Sequence, residues 1–244
     1  MGGREESKHN MSDTPIISVI IPVLKEHERI NNLINHIRAL SFDTKVEIIV
    51  ADGDPQWETL KVIRDAEVVR IESVKGRGKQ MNEGAGYANG DIILFLHADT
   101  ELPQNAIMLI KSAMKNKKYV AGAFNLGIKS DRPVFRLIEY FASLRSRITR
   151  TPFGDQAIFI RKSYFDRIGG YKDIPLMEDV ELMKRIKKRG DKIIIIKERA
   201  ATSPRRWEKE GILRCTLRNW FLQMLYGLGV SPYKLTKYYG YKYY

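Results

Sequence analysis

The chain has 244 residues, with 42 Lys and Arg against 29 Asp and Glu, which gives a formal net charge of +13. That length suits one large α/β domain, and the cationic surplus excludes an acidic solvating chain and points to an anionic partner: nucleic acid, an anionic membrane surface or a phosphorylated small molecule. A hydrophobic content of 43% excludes disorder over most of the length, and the one cysteine, Cys215, excludes an internal disulfide framework or a Cys-based zinc module and fits a reducing cytosol.

Residues 1–14, MGGREESKHNMSDT, are polar, carry no apolar signal core and read as a disordered leader. Ile16–Ile21 is β-branched and ends at Pro22, which makes it the first strand. Glu26–Leu40 places Ile30, Leu33, Ile34 and Ile37 at helical spacing. Val46–Ala51 is a second strand running into Asp52-Gly53-Asp54; Trp57–Asp65 reads as a short helix, Glu67–Ile71 as a third strand and Gly78–Asn89 as a helix. Asp91–Leu96 is a fourth strand, ending at His97-Ala98-Asp99, and Pro103–Lys115 a helix with Pro103 near its first turn. Strands alternating with helices imply βαβ units and a mostly parallel sheet, in which ligands bind at the carboxyl ends of the strands. Three polar clusters, Pro22/Glu26, Asp52/Asp54 and His97/Asp99, stand at three such ends and are expected to converge on one site.

The second half changes character. Tyr119–Ile128 reads as a strand, and Pro133–Ile148 as a helix with an apolar face of Phe135, Ile138, Phe141 and Ala142 and an arginine-rich remainder (Arg132, Arg136, Arg145, Arg147, Arg150). Ala157–Ile160 is a short strand, Pro175–Lys188 a helix, Lys192–Ile196 a strand and Gly211–Leu228 an amphipathic helix; the end, TKYYGYKYY, is aromatic and basic. A spanning helix needs about 20 apolar residues in a row, and no such run occurs. One mixed α/β domain with a C-terminal helical extension is the expected organisation.

Five clusters carry candidate chemistry. Asp99 ends an apolar strand; a hard divalent cation on phosphate oxygens takes one or two carboxylates plus water, and the competing role is to cap the following helix with Thr100. Asp52 suits a ribose or base N–H, or simply the Asp-Gly turn. Gly76-Arg77-Gly78-Lys79 has neither P-loop nor GxGxxG spacing, yet Arg77 and Lys79 at a helix start could clamp a diphosphate; a solvated basic turn is the alternative. Glu178-Asp179 opens a helix, where carboxylates favour the dipole and where one could deprotonate a sugar hydroxyl. Arg205-Arg206-Trp207 offers two guanidiniums to phosphate and an indole face to a sugar, or else a basic surface cluster beside a core tryptophan.

Singly these are ambiguous; their order is not. GDIILFLHADT, PLMEDVEL and SPRRW together resemble the family 2 glycosyltransferases, over roughly Ile16 to Trp207. FGDQAIFIR and NWFLQMLYGLGVSP look like a small single-domain bacterial and archaeal subgroup. The resemblance implies a GT-A fold, an α/β Rossmann-like and mostly parallel central sheet flanked by helices, over 15–207, with an amphipathic helical extension over 208–244. It implies an inverting transfer from a nucleotide-sugar, UDP-linked, to an acceptor hydroxyl, with Mg²⁺ or Mn²⁺. Pro22, Glu26 and Asp52 match positions lining the base and ribose pocket, and Asp99 matches the last carboxylate of the DxD motif that holds the metal on the donor diphosphate. Asp179 matches the catalytic base of the ED motif, and Arg205, Arg206 and Trp207 resemble the (Q/R)xxRW-type motif near diphosphate and acceptor. Arg77 and Lys79 are expected on the donor diphosphate; Glu178, Asp155, Gln156 and Trp207 are assigned to the acceptor side. Two positions depart from the family pattern. His97 stands at the first DxD position, where it is read as a second metal ligand. ADGDPQWET stands where the family commonly has DDGS followed by an Asp, and no role is carried over to Asp54.

Two other classes compete. A sugar-phosphate nucleotidyltransferase would show a longer Gly-rich loop after the first strand, and PVLKEHERI has no glycine. A nucleic-acid binder would suit the charge, but no RRM, KH or zinc-finger pattern occurs and the acidic strand ends would repel phosphate, so no nucleic acid is expected. The arginine-rich helix and the aromatic, basic tail read either as membrane-interface elements or, through Leu217, Trp220, Phe221, Met224 and Leu225, as packing on the domain. The corresponding expectation is a cytoplasmic enzyme, peripheral on the inner face of the membrane, with a lipid or lipid-linked acceptor.

Overall fold

A computed structural model describes residues 17–41 and 44–239. The expected leader and the last residues of the tail lie outside the described residues. The first half alternates as expected: β1 (Ile17–Val23), α1 (Ile30–Leu40), β2 (Val46–Asp52), α2 (Glu58–Lys61), β3 (Val69–Glu72), α3 (Arg77–Tyr87) and β4 (Ile92–Phe95). The second half continues with β5 (Thr100–Glu101), α4 (Ala106–Lys115), β6 (Tyr119–Ile128), α5 (Pro133–Thr149), β7 (Phe159–Arg161), α6 (Lys162–Arg167), α7 (Glu178–Lys188), β8 (Lys192–Thr202), α8 (Arg205–Glu210), α9 (Ile212–Gly227) and α10 (Pro232–Tyr239).

The described strands form one sheet in the order β3-β2-β1-β4-β7-β6-β8-β5. β1 pairs in parallel with β2 and β4, and β2 with β3. β7 enters antiparallel to both β4 and β6, β8 runs parallel to β6, and β5 closes the far edge antiparallel to β8. The sheet is therefore mixed, parallel through its first four strands and interrupted at β7. Covered on both faces, β1 and β2 are apolar almost without a break, as parallel strands are. The pleat sorts their side chains: Ile17, Val19, Ile21, Ile48 and Val50 go to the layer under α1 and α4, and Ile20, Ile49 and Ala51 to the layer under α3.

Several boundaries shift for local reasons. α1 starts at Ile30 rather than Glu26, because Lys25 takes a left-handed conformation (φ 58°) and a turn precedes the helix. α7 starts at Glu178 rather than Pro175, because Met177 is left-handed (φ 66°), which frees Pro175–Met177 as a loop. β8 runs on from Ile196 to Thr202; the charged Lys197-Glu198 disguises a strand that crosses a register shift opposite Phe124/Asn125. The two-residue β5 and the short helices α6, α8 and α10 were not expected, since each is too brief to show a period.

The helix faces hold a correction. Phe135 of α5 is fully buried, but Phe141 is 45% exposed. On α9 the inward residues are Cys215 and Leu222, whereas Leu217, Trp220, Phe221 and Met224 are exposed. Of the five residues expected to pack on the domain, Leu225 does so beside Leu176, Leu222 and Leu235, and Phe221 meets the Tyr238 ring edge-on at 6.2 Å; Leu217, Trp220 and Met224 stay more than half exposed. Trp207 is buried among Leu126, Ile128, Phe135 and Cys215, edge-on to Phe135 at 5.9 Å.

Candidate active site

A cavity of about 1040 Å³ opens at the carboxyl ends of β1 and β4. Its walls come from Pro22–Leu24 and Glu26, the loop into α3, His97–Asp99, Phe153–Asp155, Asp173–Asp179, Arg205–Trp207 and the inner side of α9 at Asn219, Leu222 and Gln223. Residues far apart in sequence meet here because the parallel β1 and β4 end on the same side and the segments before β7, between α6 and α7 and after β8 meet there.

On one wall, Arg205 joins two carboxylates. Its Nη2 lies 2.5 Å from Oε1 of Glu26 and 3.3 Å from Oδ2 of Asp99. The end of β8 also holds the main chain of this wall, since the Ser203 N–H donates to the Asp99 carbonyl at 3.1 Å. Hydrogen bonding to Glu26 raises the pKa of Arg205 against the opposing effect of burial, with the charges of Glu26 and Asp99 adding to the rise. Arg77 opens α3 and sits 3.4 Å from Glu178, while Lys79 pairs with the exposed Asp173 at 3.3 Å. Gly78 permits a close approach at this point: a Cβ there would lie 2.9 Å from the Lys172 carbonyl.

On the other wall, Asp179 sits in the first turn of α7. Its Oδ2 accepts the Gly154 N–H at 2.7 Å, and its Oδ1 accepts the Val180 N–H at 2.7 Å. Gly154 is also where the two walls touch, because a Cβ on it would fall 2.6 Å from Nε2 of His97. Burial holds His97 down to about 3, with Arg77 adding to the effect and Asp99 opposing it, so the imidazole is neutral. Burial pushes Glu178 up to about 7, Arg77 pulling it back and Asp179 raising it. Burial likewise pushes Asp155 up to about 6, against Arg145. Oδ1 of Asp155 is buried without a hydrogen-bond partner among the described residues.

Pro22, Glu26, Arg77, Lys79, His97, Asp99, Asp155, Glu178, Asp179, Arg205, Arg206 and Trp207 thus line a single cavity. Two expected residues do not. Asp52 is fully buried, and its carboxylate accepts the N–H groups of Asp54 (2.9 Å) and Thr59 (3.1 Å), so it organises the loop after β2 and lies outside the lining. Gln156 faces inward: its Oε1 accepts from Ser146 and from the Phe153 N–H, and its Nε2 donates to the Phe124 carbonyl. It anchors the short 3₁₀ turn Gly154–Gln156 instead of meeting a ligand. Arg206 is at the lining but engaged with Glu210 at 3.3 Å, with the Tyr239 hydroxyl and with the Tyr239 ring at 4.2 Å. Trp207 is at the lining, but it is buried and its ring packs in the core.

Arg145 was not singled out as a site residue. Its guanidinium stacks 3.5 Å over the Phe153 ring and donates to Gln223 at 2.9 Å. Burial holds it down to about 10, and Asp155 and Asp179 oppose that. Among five arginines on or beside one helix, sequence carries no mark of the one that turns inward.

Among the described residues no group of three or more His, Cys, Asp or Glu could cage a metal ion. Asp99 and His97 offer one carboxylate and one neutral imidazole at the cavity wall. That set fits Mg²⁺ or Mn²⁺ sharing its shell with substrate phosphate and water, and it would not suffice for an all-protein cage.

The sequence matches the family model for glycosyl transferase family 2 over residues 18–172, more than half of the chain. An uncharacterized glycosyltransferase of Mycobacterium tuberculosis is 26% identical over 189 residues, 72% of this chain and 70% of the relative. Among solved structures, mannosyltransferase PcManGT from Pyrobaculum calidifontis, in complex with GDP-Man and Mn²⁺, superposes with a TM-score of 0.66 at 17% identity; it covers 89% of this chain, which spans 65% of that one. Glucosyl-3-phosphoglycerate synthase from M. tuberculosis, in complex with Mn²⁺, UDP and phosphoglyceric acid, gives 0.55 at 18% identity, covering 77% of this chain and 70% of that one. With a mixed, curled α/β sheet shared with these structures and a family match that runs from β1 past α6, the chain belongs to glycosyl transferase family 2 and has the GT-A fold.

Proposed function

We propose that the protein transfers a sugar, with inversion, from a nucleotide-sugar to a hydroxyl of a lipid or lipid-linked acceptor, at the inner face of the cytoplasmic membrane and with Mg²⁺ or Mn²⁺. The observation that carries this reading is the meeting of two unlike walls in one cavity. One wall is the Glu26–Arg205–Asp99 chain, and the other is Asp179 held by the Gly154 N–H.

In the mechanism these parts support, Asp179 takes the proton of the acceptor hydroxyl as that oxygen attacks the anomeric carbon. The bond from the anomeric carbon to the phosphate oxygen breaks on the opposite side, so configuration inverts and no covalent enzyme intermediate is needed. The two backbone N–H groups fix the direction of the Asp179 carboxylate. Glu178 is already engaged with Arg77, which leaves Asp179 as the base. Arg205 and Arg77 face the negative charge that accumulates on the leaving nucleoside diphosphate. A divalent ion, when bound, would neutralise part of that charge, with Asp99 and His97 as its protein ligands.

We take the donor to be UDP-linked; the solved relatives hold GDP-Man in one case and UDP in the other. We assign 15–207 to the transferase domain and 208–244 to a helical extension that lends Asn219, Leu222 and Gln223 to the acceptor side. Glu26, Asp99, Asp155, Glu178 and Asp179 on the cavity wall disfavour a nucleic-acid backbone as ligand. Among the described residues no helix is long and apolar enough to cross a membrane, so the membrane contact we propose is peripheral.

The test is a thermal-shift screen of UDP, GDP, CDP and ADP with Mn²⁺, Mg²⁺ or a chelator. A ligand that binds only the folded protein raises its melting temperature by mass action. A rise with UDP that needs the metal and is lost in Asp99→Ala is the expected result. No rise with any diphosphate overturns the donor reading, and a rise indifferent to metal and to Asp99 overturns the metal assignment.

A further inference from the structure

Two helices carry apolar stripes that stay largely exposed among the described residues. α5 turns Phe135, Glu139 and Ser146 inward. Val134, Leu137, Phe141, Leu144 and Ile148 fall at helical spacing on its opposite side, each 39–72% exposed. α9 turns Cys215 and Leu222 inward, and Leu213, Leu217, Trp220 and Met224, with Leu228 just past its end, lie opposite at 51–75% exposure. Arg145 of α5 and Gln223 of α9 both turn inward, and Phe135 and Cys215 of the same two helices share one core cluster. The 2.9 Å hydrogen bond between Arg145 and Gln223 joins the two helices, and each stripe lies on the side of its helix away from their common core. An apolar surface of this extent is unusual on a chain that works alone in water.

Charge identifies the occupant. Arg132, Arg136, Arg147 and Arg150 follow one edge of the α5 stripe, and Arg214, Lys234 and Lys237 are exposed on α9 and α10. The three helices contain one acid, Glu139, which is buried and paired with Arg136 and Arg199. A second copy of this chain would bring the same cations against themselves, since a two-fold interface opposes identical patches. A phosphodiester backbone would answer the cations but not the leucine stripes. A bilayer with anionic headgroups answers both: acyl chains take the stripes and headgroups take the cationic edge.

We propose that the outer face of α5 and α9 seats on an anionic lipid bilayer, with Trp220 at the headgroup boundary. The inner side of α9 lines the acceptor end of the cavity. Seating its outer side on lipid therefore places that end beside the headgroups. This deepens the lipid-acceptor reading and rests on it for the orientation of the cavity, while the seating itself is measured without turnover.

The experiment is flotation of the full chain with vesicles of phosphatidylcholine alone, or of phosphatidylcholine and phosphatidylglycerol in equal parts, at low salt. The wild type is expected to float with the anionic vesicles, to stay behind with neutral ones and to be released by high salt. Leu217→Asp with Met224→Asp is expected to lower partitioning by about tenfold or more, with an unchanged melting temperature. Should that pair not fold, Arg132→Glu with Arg150→Glu serves instead, also with about a tenfold loss. Failure of the wild type to float, or flotation that survives these substitutions in folded protein, overturns the assignment. So does a wild-type dimer in light scattering that the Leu217→Asp pair returns to monomer. If nucleotide still shifts the melting temperature of a protein that does not float, the seating falls and the transferase reading stands; if the protein floats and binds no diphosphate, the reverse holds.

Discussion

α1 and α5 are both amphipathic helices laid on the same sheet, and they are finished differently. Every large apolar residue of α1's repeat, Ile30, Leu33, Ile34 and Ile37, is buried, and the helix leaves nothing apolar of that repeat on the outside. α5 buries Phe135 and a paired Glu139 and leaves a second apolar stripe in water; α9 repeats the pattern. The N-terminal half shares both of its core layers with residues of the C-terminal half, Phe124 and Phe159 in one and Leu182 and Met183 in the other, and it contributes Glu26, Arg77 and Asp99 to the cavity. The C-terminal half contributes Asp179, the base we propose, and carries the two outward apolar stripes.

The largest expected effect sharpens this division. Asp179→Asn keeps the shape that accepts the Gly154 N–H and removes the base, so turnover should fall by about 10²–10⁴-fold. Affinity for nucleoside diphosphate, which belongs to the other wall, should stay within a factor of a few. Kinetics and equilibrium binding on the same preparation decide it, and an equal loss in both would erase the distinction between the walls. Next comes stability. Ile34→Ala on α1 should cost about 2–5 kcal/mol, and Leu144→Ala on α5, already 39% exposed, within about 0.5 kcal/mol. Urea denaturation measures both, and similar costs would mean that α5 is as fully covered as α1.

The smallest effect is on pH. Glu178 keeps its proton in the folded protein up to about pH 7, against an ordinary value of 4.5. Between those values the folded state binds more protons than the unfolded chain, so stability falls as pH rises. The contribution is fully present below the unfolded value and is lost on passing through about 7. Melting temperatures between about pH 5 and pH 8 should therefore fall less for Glu178→Gln than for the wild type, and a steeper fall in the variant would refute the burial argument.

The strands and the long helices were legible because each expresses one period: β1 and β2 as unbroken β-branched runs, α1 as a single stripe. α5 and α9 show where that reading runs out. A helix with two apolar stripes announces that it is a helix without saying which stripe faces in, and Phe141 was placed inside for that reason. Much of the candidate site was legible from strand ends and motif order, since Glu26, His97, Asp99, Asp179 and Arg205 do share one cavity. Asp52 and Gln156 lie outside the lining because their carboxylate and amide bond to Asp54, Thr59, Phe153, Ser146 and Phe124, an arrangement that in sequence looks the same as a group aimed at a ligand. Arg145 was invisible because its role depends on the ring of Phe153 and the amide of Gln223, which only the folded chain brings together.

The 16 residues of α9 are subject to a constraint on length more than on composition. Each residue turns the helix by about 100°. Inserting or deleting one residue near Gly211 would rotate everything after it by that amount, swinging Leu222 and Gln223 off the cavity and bringing outward residues into their places. Substitution of any single outward residue leaves this phase intact. The outer positions should therefore accept exchange among apolar residues, which keeps the face that seats on lipid, while the number of positions should accept almost no change.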